Sequence, residues 1–430
     1  MRKLSLAAVL CIAAMPAMAQ ITDKMAQDAY IYGYSMDEAY KFFYETAVKT
    51  DTPLNRLQNI CHLADDTYTD HPTINNDTLH LQGWLDLSAE PVIISVPDMD
   101  KGRYWILHTM DMGHYTTSMI GSRTHGTKGG HFMFASRSWK GETPASVTEV
   151  IRVDSDILKV MGRIMATSKD DEKVALGYMD DWNVRTLSAY LGQPGPKATE
   201  HQWPDPASTN WLQRVNFVLC QGDMGTADKH WLAQYKETGL APCNTKLSAA
   251  QMAAAKQGEK QGLAYLNALL PKMTSSEGLL GTRAELQNQK RDLFAEGTLI
   301  GQWGLPPEES VYLQALKGSD GQSINGANGK QYRMHFKAPE VSQFWSFTVY
   351  GTDNKLMAHN TINRHSRGDR TLKPGPDGMY TIELSAKGDA SNPNWLPIPE
   401  KDAYIIMRLY GPNKAIREGK YPMPVLEVVK

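Results

Sequence analysis

The chain has 430 residues, with 45 Lys and Arg against 47 Asp and Glu, a formal charge of −2, and 41% hydrophobic residues. That balance argues against nucleic acid, whose binders carry a basic stripe, and no run of about 18 uncharged apolar residues follows the N-terminus to cross a bilayer. The length suggests two or three domains and permits a large core.

The chain opens MRKLSLAAVLCIAAMPAMA: Arg2 and Lys3, an apolar run from Leu4 to Met15, then Ala17-Met18-Ala19 as a cleavage site. Residues 1–19 read as a signal peptide, which places the protein in a bacterial periplasm or outside the cell. Without Arg2 and Lys3 the chain holds 43 basic and 47 acidic side chains, a charge of −4. Cys61, Cys220 and Cys243 remain. Export permits disulfides, and Cys220 with Cys243, bracketing a short segment, is the expected pair, although spacing alone does not fix geometry.

Next, "DKMAQDAYIYGYSMDEAYKFFYETA" repeats apolar groups at three- and four-residue intervals, predicting a helix to about Val48. From Leu79 to about Val153, "PVIISVP", "RYWILHTM" and "HFMFAS" predict strands. With no helical crossover between them, an antiparallel sheet is expected. Helices are expected over 171–190, 227–237, 283–296 and 308–316, and in "LSAAQMAAAKQGEKQGLAYLNALL", where Ser248 and Gln251 have capping-box spacing. "GSDGQSINGANGK", 318–330, reads as a linker, after which "QYRMHF", "QFWSFTVYG", "MYTIELS" and "YIIMRLYG" restore β patterning. The pattern is α+β: strand-rich ends around a mostly helical middle.

Local signatures of common chemistries are missing: no GxSxG, SxxK, Walker A loop, GxGxxG after a strand, or HExxH. His108/His114, His125/His131 and His359/His365 share one spacing. Six strand steps span about 20 Å, so only the second pair, separated by "GTKGG", could converge on one metal. Four stretches carry candidate chemistry. "INND" sets Asn75, Asn76 and Asp77 together, either as a turn made by side-chain to backbone bonds or facing a ligand. "INRHSRGDRT" spaces Arg364, Arg367 and Arg370 by three on an expected loop, to pair with carboxylates or grip an anion. Asp111 and Arg123 flank a strand end, where a carboxylate serves as general base or starts a turn. Trp84, Trp345 and Trp395 stand beside polar groups, suited to a flat ligand or to the core.

These residues resemble the bacterial exported family with paired domains of unknown function, numbered twelve fifty-four (N-terminal) and twelve fourteen (C-terminal). The first is carried by "NNDTLHLQGWLDLSAEPVIISVPDMDKGRYWILHTMDM", "GSRTHGTKGG" and "WKGETP", the second by "FWSFTVYGTDNKLMAHNTINRHSRGDRT", "NWLPIP" and "MRLYGP". The resemblance implies two antiparallel β domains, sandwich or jelly-roll in style, with associated helices. The family's Asn-Asn-Asp run falls on Asn75, Asn76 and Asp77, its Gly-Arg region on Gly121 and Arg123, and its later pairs on Asn363, Arg364, Asp369 and Arg370. His80, where the family is usually aromatic, and His365 depart from the pattern.

The expected fold is therefore α+β, with a signal peptide (1–19), an N-terminal helix plus antiparallel β domain (20–167), a mostly helical block (168–317) and a C-terminal antiparallel β domain (318–430). The leading expectation is an enzyme, hydrolytic or eliminating, acting on a small polar, anionic or sugar-like molecule bound between the β domains. Asp77 and Asp111 are its catalytic candidates, and Asn76, Arg123, Asn363, Arg364, Asp369, Arg370, Trp84 and Trp345 its binding candidates. Asp77 is expected opposite Arg364 and Arg370. A non-catalytic ligand-binding or envelope-associated module is second and a metalloprotein third. No cofactor and no bound metal is expected; the partner is a small polar or anionic ligand, with no nucleic acid and no membrane span, and self-association into a homo-oligomer stays open.

Overall fold

The computed structural model describes residues 21–69, 72–270, 278–286 and 291–430; the expected signal peptide lies outside them. Among the described residues no helix is long and apolar enough to cross a membrane.

The first helix runs Asp23–Phe43 and continues as a π turn over Tyr44–Val48; Thr22 caps it by accepting the Met25 N–H. Its "YIYGYSM" stretch is buried on every side, and it lies within the helical block formed with Trp211–Leu219, Ala249–Leu269 and Arg291–Ile300. Contact with the Ala249–Leu269 helix requires glycine. A Cβ on Gly258 would lie 2.3 Å from the Ala26 carbonyl oxygen, and one on Gly262 2.4 Å from the Tyr30 ring. Ser248 and Gln251 form the expected capping box, and Cys220 and Cys243 are disulfide-bonded.

The strands are β1 (Arg56–Ile60), β2 (Thr78–Asp86), β3 (Val92–Val96), β4 (Trp105–Asp111), β5 (Thr116–Gly121), β6 (Gly130–Ser136), β7 (Glu149–Val153), β8 (Ile157–Met165) and β9 (Asn183–Thr186) in the first half. The second half has β10 (Ser310–Ala315), β11 (Gln331–Phe336), β12 (Val341–Gly351), β13 (Ser366–Gly368), β14 (Tyr380–Ser385), β15 (Trp395–Pro397), β16 (Ala403–Pro412) and β17 (Glu427–Val428). Among the described residues they form four sheets: I, β1-β2-β8-β4-β5; II, β7-β6-β3-β9; III, β10-β16-β12-β13; IV, β15-β14-β11-β17. Sheets I and II share one apolar core and sheets III and IV another, giving two sandwiches.

Several expectations need correction. The single sheet expected from 79 to 153 is two: β4 belongs to sheet I, whereas β3 and β6 belong to sheet II, where β6 and β7 pair in parallel. The reason is burial, because β4 is buried at every position and so needs a layer on each face. The helix expected over 171–190 ends at Asp180, and Asn183–Thr186 pairs with β3 instead. Residues 308–316 are not a helix; Ser310–Ala315 is a strand on β16, since edge pairing outweighs a weak helical pattern. The linker over 318–330 is tied down: Ile324 is fully buried and bridges Ala403.

Candidate functional site

Strand periodicity puts unlike groups on the two faces of sheet I. On β2, Leu79, Leu81 and Leu85 point into the sandwich core, whereas His80, Gln82 and Trp84 point outward. The partner β8 does the same: His80 lies opposite Arg163, Gln82 opposite Met161 and Trp84 opposite Lys159. On sheet III, β16 turns Ile405, Met407 and Leu409 into its core and Tyr404, Ile406, Arg408 and Tyr410 outward. These two outer faces meet. Tyr104 and Ile106 pack with Phe344 and Tyr410 on one side, and Ala64 with Tyr350, Tyr404 and Ile406 on the other.

Between them lies a cavity of about 1310 Å³, lined by His80, Gln82 and Arg163 from the first sandwich, Tyr312, Arg408 and Tyr410 from the second, and Trp303 from the loop before β10. Arg163 is buried and donates one terminal N–H to the Trp303 carbonyl (3.1 Å), while its other terminal nitrogen has no protein partner among the described residues. Arg408, also buried, donates to Thr348 Oγ1 (3.2 Å) and the Thr73 carbonyl (2.6 Å). Neither arginine is ion-paired to a carboxylate of the described residues. Arg408 is reached by the Asp77 carboxylate electrostatically, without a hydrogen bond to it, and a buried cation with no bonded carboxylate is costly to the apo fold. Trp303 is positioned by His114, whose Nε2 accepts the Trp303 N–H (3.3 Å) beneath a ring contact of 4.6 Å. Burial pushes His114 down to about 4, so the imidazole is a neutral acceptor at pH 7.

Four residues before Arg163 on β8, Lys159 is buried, donates to Gln82 Oε1 (3.2 Å) and sits over the rings of Trp84 (5.0 Å) and Phe42 (5.2 Å). Desolvation pushes its pKa down to about 7. Gln82 therefore connects the cavity wall to an amine that is basic near neutrality.

The sequence candidates occupy other places, and none of the ten named catalytic and binding candidates lines this cavity. Asn75 Oδ1 accepts the N–H groups of Asp77 (2.9 Å) and Thr78 (3.0 Å), a turn, while its amide donates to His80 Nε2 (3.3 Å) at the cavity edge. Asn76 joins Ala64 O (2.6 Å) to Ser366 Oγ (2.9 Å). Asp77 is buried, accepting from Arg370 (3.0 Å) and from Ser346 Oγ (2.6 Å) across the domain boundary. Arg364 does not join it; its guanidinium donates to the carbonyls of Ala390 (2.8 Å), Asn392 (2.8 Å) and Trp395 (3.1 Å). Asn363 adopts a left-handed conformation at φ 49° beside it. Asp369, raised by burial, accepts the Trp345 N–H (3.4 Å).

Asp111 Oδ1 accepts the N–H groups of Gly113 (2.8 Å) and Tyr115 (3.0 Å), and Oδ2 pairs with Arg283 (3.1 Å); burial raises its pKa. Arg123 pairs with buried Glu309 (2.8 Å), which Tyr104 also meets (3.0 Å). Trp84 belongs to the core around the first helix, its indole donating to Thr46 (3.1 Å), and Trp345 to the core of the second sandwich. His125 and His131 turn to different partners, Glu149 (3.4 Å) and Ser95 (2.8 Å). Sequence reasoning missed Arg163, Arg408 and Lys159. The available signal was charge inside strands otherwise apolar on both faces, two in "ILKVMGRIM" and one in "YIIMRLYG".

The family described as "Protein of unknown function (DUF1254)" matches residues 54–184, and that described as "Protein of unknown function (DUF1214)" matches residues 309–414. The VPA0106 protein of Vibrio parahaemolyticus, known from a crystal structure, is 59% identical over 95% of this chain and 100% of its own, with a TM-score of 0.87. An uncharacterized protein of Burkholderia cenocepacia is 12% identical, covering 92% of this chain and 87% of its own, with a TM-score of 0.48. No curated protein matches the chain.

Proposed function

The chain belongs to the family that pairs DUF1254 with DUF1214, and from that premise we propose that it binds a small organic anion in the cavity between its two β domains. One observation carries the reading. Arg163 comes from the first matched region and Arg408 from the second; both are buried, both line one cavity, and neither has a carboxylate partner among the described residues. An anion bridging them would satisfy charges that the fold leaves open. Asp77 then serves as a tie between domains. Isothermal titration of the native protein against small carboxylates, phosphates and neutral sugars tests this. Tight binding of anions alone, weakened at least tenfold by Arg163→Met or Arg408→Met, is the expected outcome. Equal binding of neutral sugars, indifferent to either variant, would sink the reading.

A second reading, turnover of that anion by hydrolysis or elimination, is favoured by Lys159, an amine one hydrogen bond from the wall and depressed to about 7. A base of that pKa takes protons efficiently at neutral pH. Lys159→Met should abolish turnover of any ligand found and preserve its binding; unchanged turnover would exclude Lys159 as the base.

We also propose export to the periplasm or beyond. The signal-like residues 1–19 support it, as does the Cys220–Cys243 disulfide, a bond that persists in oxidising compartments. Cell fractionation with mass mapping of the mature N-terminus tests it, with Gln20 expected first.

A further inference from the structure

We infer that the anion is a single-chain amphiphile, its charged head held at Arg163 and Arg408 and its hydrocarbon tail lying toward the cavity mouth; the inference rests on the anion reading above. The cavity inverts the usual order of burial. Its polar wall is deep: His80 is 4% exposed, Arg163 6% and Arg408 3%. Its exposed lining carries apolar groups: Ile300 is 46% exposed, Leu316 52% and Val425 64%. A single exposed leucine means little. Here three apolar groups come from three separate segments, a helix end, the residue after β10 and the C-terminal stretch, and line one cavity. Exposed apolar groups gathered on one cavity mark a binding surface.

Size and charge point the same way. At about 1310 Å³ the cavity exceeds the range of about 300–1,000 Å³ usual for small-ligand sites, so a compact sugar acid would fill only part of it. Lys317, Lys355 and Arg417 stand exposed on its lining against one carboxylate, Glu418, a local excess of positive charge that draws anions in. The polar and apolar linings together fit an anionic head with an alkyl chain.

Calorimetric titration of the full chain with butyrate, octanoate and dodecanoate below their micelle concentrations, alongside decyl phosphate and decanol, tests the inference. Affinity should rise roughly three- to fourfold for each buried methylene. The double variant Leu316→Ser/Val425→Ser, made at exposed positions that folding does not require, should flatten that rise and leave butyrate unchanged. Decanol should bind far more weakly than decyl phosphate, and decyl phosphate set against the affinity interpolated between octanoate and dodecanoate shows which head is preferred at equal chain length. Equal affinity for butyrate and dodecanoate would overturn the amphiphile while leaving the anion site standing. Decanol binding as tightly as decyl phosphate, or no anion binding at all, would overturn the anion reading itself.

Discussion

Two groups of buried charge lie between the β domains and are connected in opposite ways. Around Asp77, both carboxylate oxygens are occupied, by Arg370 at 3.0 Å and by the Ser346 hydroxyl at 2.6 Å, and the Arg370 guanidinium lies 3.8 Å over the Phe344 ring. Around the cavity, Arg163 and Arg408 find only carbonyl and hydroxyl acceptors. The first group is closed and ties the sandwiches together; the second, where Asp77 reaches Arg408 only electrostatically, is where the proposed anion would sit. Charged residues at one interface thus divide by whether a carboxylate is bonded to them, and the set without one, in which Arg163 also keeps an unpartnered terminal nitrogen, marks the candidate site.

Substitution should separate the two groups by the size of its effect on stability. Asp77→Ala leaves Arg370 without its carboxylate and should destabilise the fold by about 3 kcal/mol, the cost of breaking a buried pair, read from urea unfolding midpoints. Adding Arg370→Met should restore part of that loss. At the cavity the same kind of change should cost little: Arg163→Met removes an unpaired charge and should alter stability by no more than about 1 kcal/mol. Its anion affinity should fall about 10- to 100-fold, the worth of a charge-assisted hydrogen bond. Equal destabilisation at both places would erase the distinction.

Lys159 sharpens the contrast through pH. Its pKa is about 7 when folded, below the ordinary 10.5, so between those values the unfolded chain binds more protons than the native one. Stability must therefore rise with pH across that window, by about 1 kcal/mol from pH 7 to 8 on this group alone, and the penalty is fully present below pH 7. Attraction of the ammonium to Trp84 and Phe42 reduces it. Lys159→Met should flatten the profile in chemical denaturation measured from pH 6 to 9.

Much of the fold was legible because it is local. The first helix, the Ser248 cap and the four late strands follow from periodicity and capping chemistry. What failed was partnership at a distance: residues 310–315 are a strand because β16 has a free edge for them, and β3 and β4 lie in different sheets because each is covered on both faces. The contact of Asp77 with Arg370 was legible, and the two do meet across the boundary, but outside the cavity. The site was illegible at Arg163 and Arg408, since the charges of these apolar strands belong to no motif, and only the tertiary fold brings Arg163 and Arg408 to one cavity.

Arg364 provides the smallest and most specific test of that division. It lies in the most arginine-rich stretch of the chain, and motif reasoning places it on the ligand. In the fold it donates three hydrogen bonds to carbonyls at Ala390, Asn392 and Trp395, within the second sandwich and away from the cavity lining. Those carbonyls accept from any cation that reaches them, but a lysine cannot serve three at once in the same plane. Arg364→Lys should therefore cost about 1 kcal/mol of stability and change anion affinity less than twofold by titration. A tenfold loss of affinity would show that the ligand reaches the 362–371 loop, and would shift the candidate site from the cavity to the motif.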